Sequence, residues 1–366
     1  MGQPMRKGFS FRDLDWLLLG VALALAMVGV VEIYSTTAHS TLAGEYRKQF
    51  EWVVVGVLAA LLVSQVDYHR VIEHAPVLYA AGLAALGAVL LLGHAVARTH
   101  RWLTIGGQTL QVSELVKLVI IAAAAFVLGR RPAKPVGWKD LAILGLLGGL
   151  PAILVALEPD LGTALTYLAI VAAGLLLSGL RARHVVGVAL AGALLLPVSW
   201  HVLRPYQRDR LMSFVHPAQD TQGSGYQVTQ SKIAVGSGGL WGKGLGNGTQ
   251  SQLGFVPVSH ADFIFAAFAE EQGFMGTMIV LLLYLILLLR LLDGAQWAPD
   301  RAGAFLVAGL GALLFFQVAV NVGMMIGWLP ITGIPLPLLS QGGSSLFATF
   351  VGLGLALSVK RRRFVN

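Results

Sequence analysis

Long apolar runs separated by short polar connections dominate the sequence. Each run is close to the length of about 20 apolar residues that a helix needs to cross a bilayer. We therefore predict an all-α polytopic membrane protein with about ten transmembrane helices, which form one integral membrane domain over residues 1–366. The predicted spans cover 14–34, 50–66, 77–97, 112–129, 141–157, 161–179, 185–203, 263–289, 302–328 and 344–359.

The Lys and Arg residues in the connections predict the orientation of these spans. With the N-terminus inside, the inner segments carry sixteen Lys and Arg residues and the outer segments nine, of which five lie in one long loop. Short cytoplasmic loops are enriched in these residues, whereas long loops follow the rule weakly. Both termini are therefore expected in the cytoplasm. The loop at about 204–261, between the seventh and eighth helices, is expected to be extracytoplasmic and structured.

The composition supports a membrane protein and excludes several function classes. Hydrophobic residues make up 56% of the chain and charged residues 12%, against roughly 45–50% and 25% in a soluble domain. The net charge of +8 lies mostly in connections beside apolar runs, so the orientation of the spans explains it better than nucleic-acid binding does. Since the chain has no Cys, disulfides, thiolate nucleophiles and zinc–thiolate sites are excluded.

Glycines and basic residues are concentrated in the loop at 204–261. Backbone N–H groups of a glycine-rich segment can converge on an anion, and neighbouring cations suit a phosphate. The segment is not a Walker A loop, because Gly follows Lys243, and it is not a dinucleotide-binding fingerprint, because no strand precedes it. Tight turns in a re-entrant loop explain the glycines equally well. The candidate phosphate-binding cations are Arg208, Arg210, Lys232 and Lys243.

Asp262 lies where the long loop meets the eighth predicted helix. Asp is a favoured N-cap residue and suits the positive end of a helix, so a structural cap is the first interpretation. The second is a carboxylate aimed into an outward-facing cleft, where it accepts a proton from a hydroxyl. Both interpretations can hold together. His260, two residues earlier, is explained more simply as an interfacial histidine than as a base.

Ionisable residues inside apolar runs are costly unless they are paired or hydrated. Glu114 and Lys117 are three residues apart and share one helix face, so they form either a structural ion pair or the wall of a polar cavity. We predict that both point into the bundle and line a polar cavity. Glu270 and Glu271 are adjacent and point about 100° apart on a helix, so at least one of them is expected to face water or protein. Asp160 follows Glu158 in a short outer turn, for which a solvated turn is the simpler interpretation.

The last outer loop, at about 329–345, has no charged residue but contains three prolines and several glycines. Irregular backbone at membrane depth is tolerated only when it is buried in protein or lines a cavity. This composition therefore indicates a re-entrant segment over the outer mouth of the bundle.

Taken together, these motifs resemble those of the SEDS family of shape, elongation, division and sporulation proteins, in order from the first helix to the last. The matching segments are Arg101-Trp102, Gln111 to Lys117, Pro159 to Thr163, Tyr206 to Gln252, His260 to Phe265, Glu270-Glu271, Thr332 to Pro337 and Gly342 to Ser345. The chain departs from the family pattern at Val112, Glu158, Ala261 and Gln341. Of these, Ala261 removes a hydroxyl beside Asp262.

The resemblance implies an enzyme of the cytoplasmic (inner) membrane. Such a peptidoglycan glycosyltransferase polymerises lipid II into β-1,4-linked glycan strands on the outer membrane face during cell elongation, and it releases undecaprenyl pyrophosphate. Asp262 would be the catalytic carboxylate of an inverting reaction. The substrate-binding residues that family motifs and charge indicate are Arg101, Glu114, Lys117, Asp160, Arg208, Arg210, Lys232, Lys243, His260, Glu270 and Ser344.

The resemblance also implies a partner, a class B penicillin-binding protein that acts as a single-span transpeptidase. Membrane lipids surround the helices, and no nucleic acid is expected. No cofactor is implied, although a divalent cation, Mg²⁺ or Mn²⁺, could assist.

Two other functions are compatible with the residues. The first is a flippase for lipid II, because intramembrane Glu114, Lys117 and Glu270 are also features of a transport path. The second is a non-catalytic scaffold for wall-synthesis enzymes. A flippase needs polar groups down to the inner leaflet, whereas the inner halves of the predicted spans carry few. This distribution favours the enzyme.

Overall fold

The computed structural model describes residues 14–364, except 39, 41, 93, 97–98, 106–107, 133, 135, 203–204, 217–219, 221–222 and 257. The described part is a helical bundle with one small sheet. Its helices are α1 (Trp16–Thr37), α2 (Glu45–Val63), α3 (Tyr68–Glu73), α4 (Ala75–Leu92), α5 (Val112–Gly129), α6 (Trp138–Leu157), α7 (Leu161–Leu177), α8 (Ala182–Val202), α9 (Pro205–Val215), α10 (Ser224–Ser237), α11 (Thr249–Gln252), α12 (Ile264–Gln296), α13 (Arg301–Met325) and α14 (Gly343–Arg361), followed by a 3₁₀ turn (Arg362–Phe364).

Six helices in the described ranges are long and apolar enough to cross a membrane, namely α1, α5, α6, α12, α13 and α14. Shorter apolar stretches lie in α4, α7 and α8. The helix α2 begins with the charged segment Glu45 to Glu51, which lowers its mean hydropathy. The predicted helical membrane bundle is confirmed at this level.

At two predicted spans, the C-terminal end lies five or more residues from the end of the helix in the structure. The helix predicted over 77–97 ends at Leu92 in the structure, because the later residues His94–Val96 form a strand. The span predicted as 263–289 continues to Gln296, where α12 leaves the apolar zone with Arg290 and Asp293 on its last turns. Apolarity alone therefore locates a helix better than it locates the ends of that helix.

A three-stranded antiparallel sheet follows α4, and the sequence analysis did not predict it. Its strands are β1 (His94–Val96), β2 (Thr99–Ile105) and β3 (Gln108–Leu110), in the order β1-β2-β3. In the second pairing Ile105 faces Gln108 and Leu103 faces Leu110. Two glycines separate β2 from β3 in the sequence, which is a signal for a hairpin.

Buried charges tie three helices together at the predicted cytoplasmic end of the bundle. The Asp15 carboxylate accepts a hydrogen bond from the Leu18 N–H and so caps α1. It also contacts Arg290 of α12 at 2.8 Å and Lys360 of α14 at 2.6 Å. Because Asp15 is 7% exposed, the two cations compensate a carboxylate that would otherwise be costly to bury.

His69 forms a second polar cluster, in the short helix α3. Its Nδ1 lies 2.9 Å from Asp67 and its Nε2 lies 2.6 Å from Asp300, the residue that caps α13. Burial lowers the pKa of His69, but the hydrogen bonds to the two carboxylates outweigh burial, so its pKa is raised above the ordinary value.

The helix α12 is interrupted at Gly273, where φ is 67° and ψ is −166°. Only glycine adopts this backbone conformation readily. The interruption lets the glycine-rich segment 238–248 approach the helix, and a Cβ at Gly273 would overlap the backbone nitrogen of Gly242. The backbone N–H groups of Lys243 and Gly244 donate to the carbonyls of Glu270 and Glu271. The predicted long loop is therefore structured and packed on α12.

Candidate functional site

A cavity of about 380 Å³ lies at the end of the bundle that the orientation analysis places outside. Its walls come from the start of α5, the α6–α7 turn, α9, the turn before α12, the irregular segment 330–342 and the start of α14. The predicted site residues that line it are Glu114, Asp160, Arg210, Asp262 and Ser344. The structure therefore brings together five side chains that are up to 230 positions apart in the chain.

Glu114 and Lys117 form an ion pair on the first two turns of α5. Their oxygen and nitrogen atoms are 2.6 Å apart, and the two side chains are 6% and 3% exposed. Both therefore point into the bundle rather than towards lipid. Glu114 lines the cavity, whereas Lys117 is buried and does not line it. The prediction that both residues line a polar cavity therefore agrees with the structure for Glu114 only.

Asp160 is buried and caps α7. One carboxylate oxygen accepts from the Thr163 N–H at 3.1 Å, and the other accepts from the Thr163 hydroxyl at 3.0 Å and from Gln111 at 3.2 Å. Asp160 is 8% exposed and Glu158 is 2% exposed. The interpretation of this turn as solvated is therefore wrong, because the turn is folded against α5 and the segment 330–345.

Asp262 does not occupy the cap position of α12. The N-cap residue is Phe263, and its side chain makes no capping hydrogen bond. Asp262 lies in the preceding turn, half-buried, and lines the cavity. The cap interpretation thus does not hold, and the second interpretation, a carboxylate facing an outer cleft, agrees with its position.

Asp262 and Arg210 flank Gly333. A Cβ built on this glycine would lie 3.6 Å from Asp262 Oδ2 and 3.8 Å from Arg210 Nη1. Arg210, on α9, also donates to the Ile331 carbonyl at 3.5 Å. Gly333 has a φ of 72°, a region that favours glycine. A carboxylate and a guanidinium thus share one small, side-chain-free space in the cavity wall.

Ser344, at the start of α14, also lines the cavity. Its hydroxyl accepts from the Gln111 N–H at 3.0 Å and the residue is 4% exposed. Gln111 therefore connects two residues of the cavity wall, because its backbone N–H binds Ser344 and its side-chain amide binds Asp160. Gln111 was not among the predicted site residues, although Gln111 is the first residue of the motif that contains Glu114 and Lys117.

Lys243 and Glu270 lie away from the cavity wall and pair with each other at 2.6 Å. The buried Glu270 carboxylate also accepts from the N–H groups of Gln250 and Ser251. The adjacent Glu271 accepts from Ser35, from the Gly246 N–H and from Gln252. The backbone N–H groups of this glycine-rich segment therefore converge on the carboxylates of Glu270 and Glu271, which belong to the chain itself. Tight turns account for the glycines.

The other predicted residues have separate positions. Lys232 is exposed on α10, and its side chain packs over Gly327. Arg208 is half-buried on α9. His260 lies in the turn before Asp262, where burial lowers its pKa although Glu45 opposes this effect. Arg101 belongs to β2, and its side chain lies outside the described residues.

Asn321 and Glu32 are among the buried polar residues of the membrane helices that were not predicted from the sequence. Asn321 of α13 is fully buried, and its amide group hydrogen-bonds the backbone beside the cavity. Glu32 of α1 is 1% exposed and borders a separate lateral groove between α1 and α12. Each is a polar residue within an apolar run, which was the available signal.

The chain has relatives along its whole length. Residues 15–364 match the cell cycle protein family named for FtsW, RodA and SpoVE. Peptidoglycan glycosyltransferase MrdB of Escherichia coli K12 is 38% identical over 364 residues, which cover 98% of this chain and 97% of the relative. Peptidoglycan glycosyltransferase RodA of Treponema pallidum is 33% identical, with coverage of 96% and 98%.

Solved structures agree with this result. A chain in a peptidoglycan synthase complex that coordinates polymerization and crosslinking matches with a TM-score of 0.82 and 34% identity, over 96% of this chain and 99% of that chain. The crystal structure of the rod shape determining protein RodA of Thermus thermophilus matches with a TM-score of 0.72 and 32% identity, over 96% and 98%. This chain is accordingly a multi-pass membrane protein, and it belongs to the FtsW/RodA/SpoVE family of cell cycle proteins, the SEDS family that its motifs resemble.

Proposed function

We propose that this chain is a peptidoglycan glycosyltransferase that polymerises lipid II into β-1,4-linked glycan strands on the outer face of the cytoplasmic membrane. Full-length relatives bear this activity in their names. The observation that carries the proposal is the outer cavity, in which the Asp262 carboxylate and the Arg210 guanidinium flank the same glycine.

The reaction assigned to this cavity is a single displacement. The 4-hydroxyl of the acceptor sugar attacks the anomeric carbon of the donor, and Asp262 takes the hydroxyl proton. The bond between that carbon and the pyrophosphate oxygen breaks, and undecaprenyl pyrophosphate leaves with the electron pair. An α-linked donor gives a β-linked product, so one inverting step and one base suffice.

Arg210 is the best-placed cation for the leaving pyrophosphate. A planar guanidinium binds phosphate oxygens through two parallel hydrogen bonds and keeps its charge at any physiological pH. Arg210 lines the cavity on the same side as Asp262, whereas Lys243 is engaged by Glu270. Arg101, Arg208 and Lys232 remain candidates for additional contacts between the substrate and the outer surface of the protein.

The cavity does not suit a metal held by the protein alone. Among the described residues, no three His, Asp or Glu side chains are grouped to hold a metal ion. Glu114 is paired with Lys117, and Asp160 is occupied by the start of α7. If Mg²⁺ or Mn²⁺ assists, it would arrive with the pyrophosphate, and no step above depends on it.

We also propose ten spans, formed by α1, α2, α4, α5, α6, α7, α8, α12, α13 and α14, with α9, α10 and α11 outside. The six long apolar helices and three shorter ones support this count, and α2 packs along the buried helix α14. Because a related chain belongs to a synthase complex that crosslinks, a class B penicillin-binding protein is the proposed partner.

Purified chain mixed with lipid II, with no other glycosyltransferase present, tests the proposal. We expect glycan polymer with and without a chelator. Movement of lipid II across a bilayer without polymer would instead support a flippase, and neither activity would support a scaffold.

A further inference from the structure

Two irregular segments of backbone build the part of the cavity that holds Asp262. One is the turn 258–263 before α12, and the other is the segment 330–341 after α13. Neither segment belongs to a helix or a strand. Each has a turn hydrogen bond of its own, from the Ala261 N–H to the Val258 carbonyl and from the Ser340 N–H to the Leu336 carbonyl, but neither of these bonds joins one segment to the other. Something else must therefore hold the Asp262 carboxylate in a constant position relative to Arg210 and the substrate.

Asn321 joins the two segments. It lies near the outer end of α13 and is fully buried. Its Nδ2 donates to the Asp262 carbonyl at 3.1 Å and to the Ile334 carbonyl at 2.8 Å. One amide group thus binds the backbone of the proposed base and the backbone that follows Gly333, where Asp262 and Arg210 meet.

Ser340 provides a second connection between the same segments. Its hydroxyl donates to the Ala261 carbonyl at 2.7 Å and accepts from the Leu336 N–H at 2.9 Å. The Gln341 N–H donates to the His260 carbonyl at 3.1 Å. Three successive carbonyls, from His260 to Asp262, therefore each accept a hydrogen bond from α13 or from the segment 330–341.

The chemistry of the Asn321 side chain fits a role that needs two donors. A side-chain amide has two N–H groups on one nitrogen, and here both are directed at carbonyls. Its Oδ1 is buried and accepts no hydrogen bond from the part of the chain that the structure describes. Burying an unsatisfied carbonyl oxygen is unfavourable. An apolar residue at position 321 would avoid this cost. The two N–H groups of Asn321, which bind the Asp262 and Ile334 carbonyls, therefore explain why an amide occupies this position.

We infer that Asn321 is a positioning residue for the glycosyl transfer, which fixes the backbone of Asp262 so that its carboxylate meets the acceptor hydroxyl. This inference rests on the proposed function. Asn321 does not itself line the cavity. Its removal should therefore alter the rate of the chemical step and leave the binding of lipid II nearly unchanged.

The test compares Asn321→Ala with Gln317→Ala, a matched control. Gln317 lies one turn earlier on α13, is also buried, and has no hydrogen bond to either segment among the described residues. Because a displacement of about 1 Å can cost about a hundredfold in rate, we expect Asn321→Ala to lower kcat about 10- to 100-fold, with KM within about twofold. Gln317→Ala should keep both constants within about threefold.

A second comparison distinguishes positioning from general loosening of the fold. When Asn321→Ala is added to Asp262→Asn, the residual rate should fall by less than about threefold, because the group that Asn321 orients is already absent. An equal loss in both backgrounds overturns the inference, as does a change confined to KM or a normal rate in Asn321→Ala.

If Asn321→Ala does not fold, Ser340→Ala takes its place, since it removes one connection only, and the same rate pattern is expected at a smaller amplitude. Ser340→Ala with normal kcat then overturns the inference. Failure of the proposed function is distinguishable, because in that case the unmodified chain forms no polymer.

Discussion

The pair of Glu114 and Lys117 offers a prediction that separates its structural role from its role in the cavity. The Glu114 side chain is 6% exposed, and the Lys117 ammonium group lies 2.6 Å from its carboxylate. Lys117→Met would remove that ammonium group and leave the buried carboxylate without its partner. Removing one partner of a buried ion pair typically costs about 3–5 kcal/mol. At roughly 2–4 °C for each kcal/mol, the apparent Tm of the purified protein should fall by about 6 °C or more.

The double variant Glu114→Gln with Lys117→Met restores neutrality with side chains of similar volume. Replacing a buried pair by neutral groups is often close to neutral in free energy, so its Tm should return to within about 3 °C of the unmodified chain. Polymerisation should nevertheless stay low. A hydrogen bond to a charged group contributes about 1.5–3 kcal/mol, so the loss of the cavity-lining carboxylate should lower the rate roughly ten- to a hundredfold.

The assay combines thermal unfolding in detergent with lipid II polymerisation for the same preparations. A double variant that recovers both stability and activity would show that the pair is purely structural. A single variant Lys117→Met with an unchanged Tm would refute the energetic reasoning itself, because the carboxylate would then tolerate burial without its partner.

Three further outcomes follow from the fold. Gly273→Ala should destabilise the protein by about 1–3 kcal/mol or more in thermal unfolding, whereas Gly145→Ala, in open space on α6, should not; equal Tm values would contradict the role of the interrupted helix. Cys introduced at the exposed Asn247 should react with an impermeant thiol reagent on spheroplasts, whereas Cys at Lys139 should react only after lysis; the reverse would invert the topology. The pKa of His69 is raised in the folded protein, so the contribution of His69 to stability is present below the unfolded pKa of about 6.5 and is lost as pH rises through the folded pKa. His69→Gln should therefore flatten the dependence of Tm on pH over that range. An unchanged dependence would contradict the raised pKa of His69.

The apolar pattern was sufficient to predict the helical bundle, because each membrane helix needs a long run of apolar residues regardless of its neighbours. It could not predict the sheet after α4. The strand residues His94–Val96 continue the apolar run of α4, and only the two glycines before Gln108 indicated a hairpin.

The candidate site was predictable in part. Glu114, Asp160 and Asp262 stood out as carboxylates in or beside apolar runs, and the structure places all three on one cavity. The partners of Lys243 and Asn321 were not predictable, because each depends on tertiary packing between residues that are 13 to 59 positions apart. The glycine-rich segment was ambiguous for the same reason, since a carboxylate of the chain and a phosphate present the same chemistry to its N–H groups.

The polymerisation rate of Asp262→Asn is the most direct test of Asp262 as the catalytic base. The amide has nearly the same size as the carboxylate but cannot take a proton, and Asp262 is not the N-cap residue of α12. We expect a membrane-inserted protein with a Tm close to that of the unmodified chain and a polymerisation rate lower by about 10²–10⁴-fold. A variant that polymerises lipid II at more than about a tenth of the normal rate would contradict the assignment of Asp262 as the base.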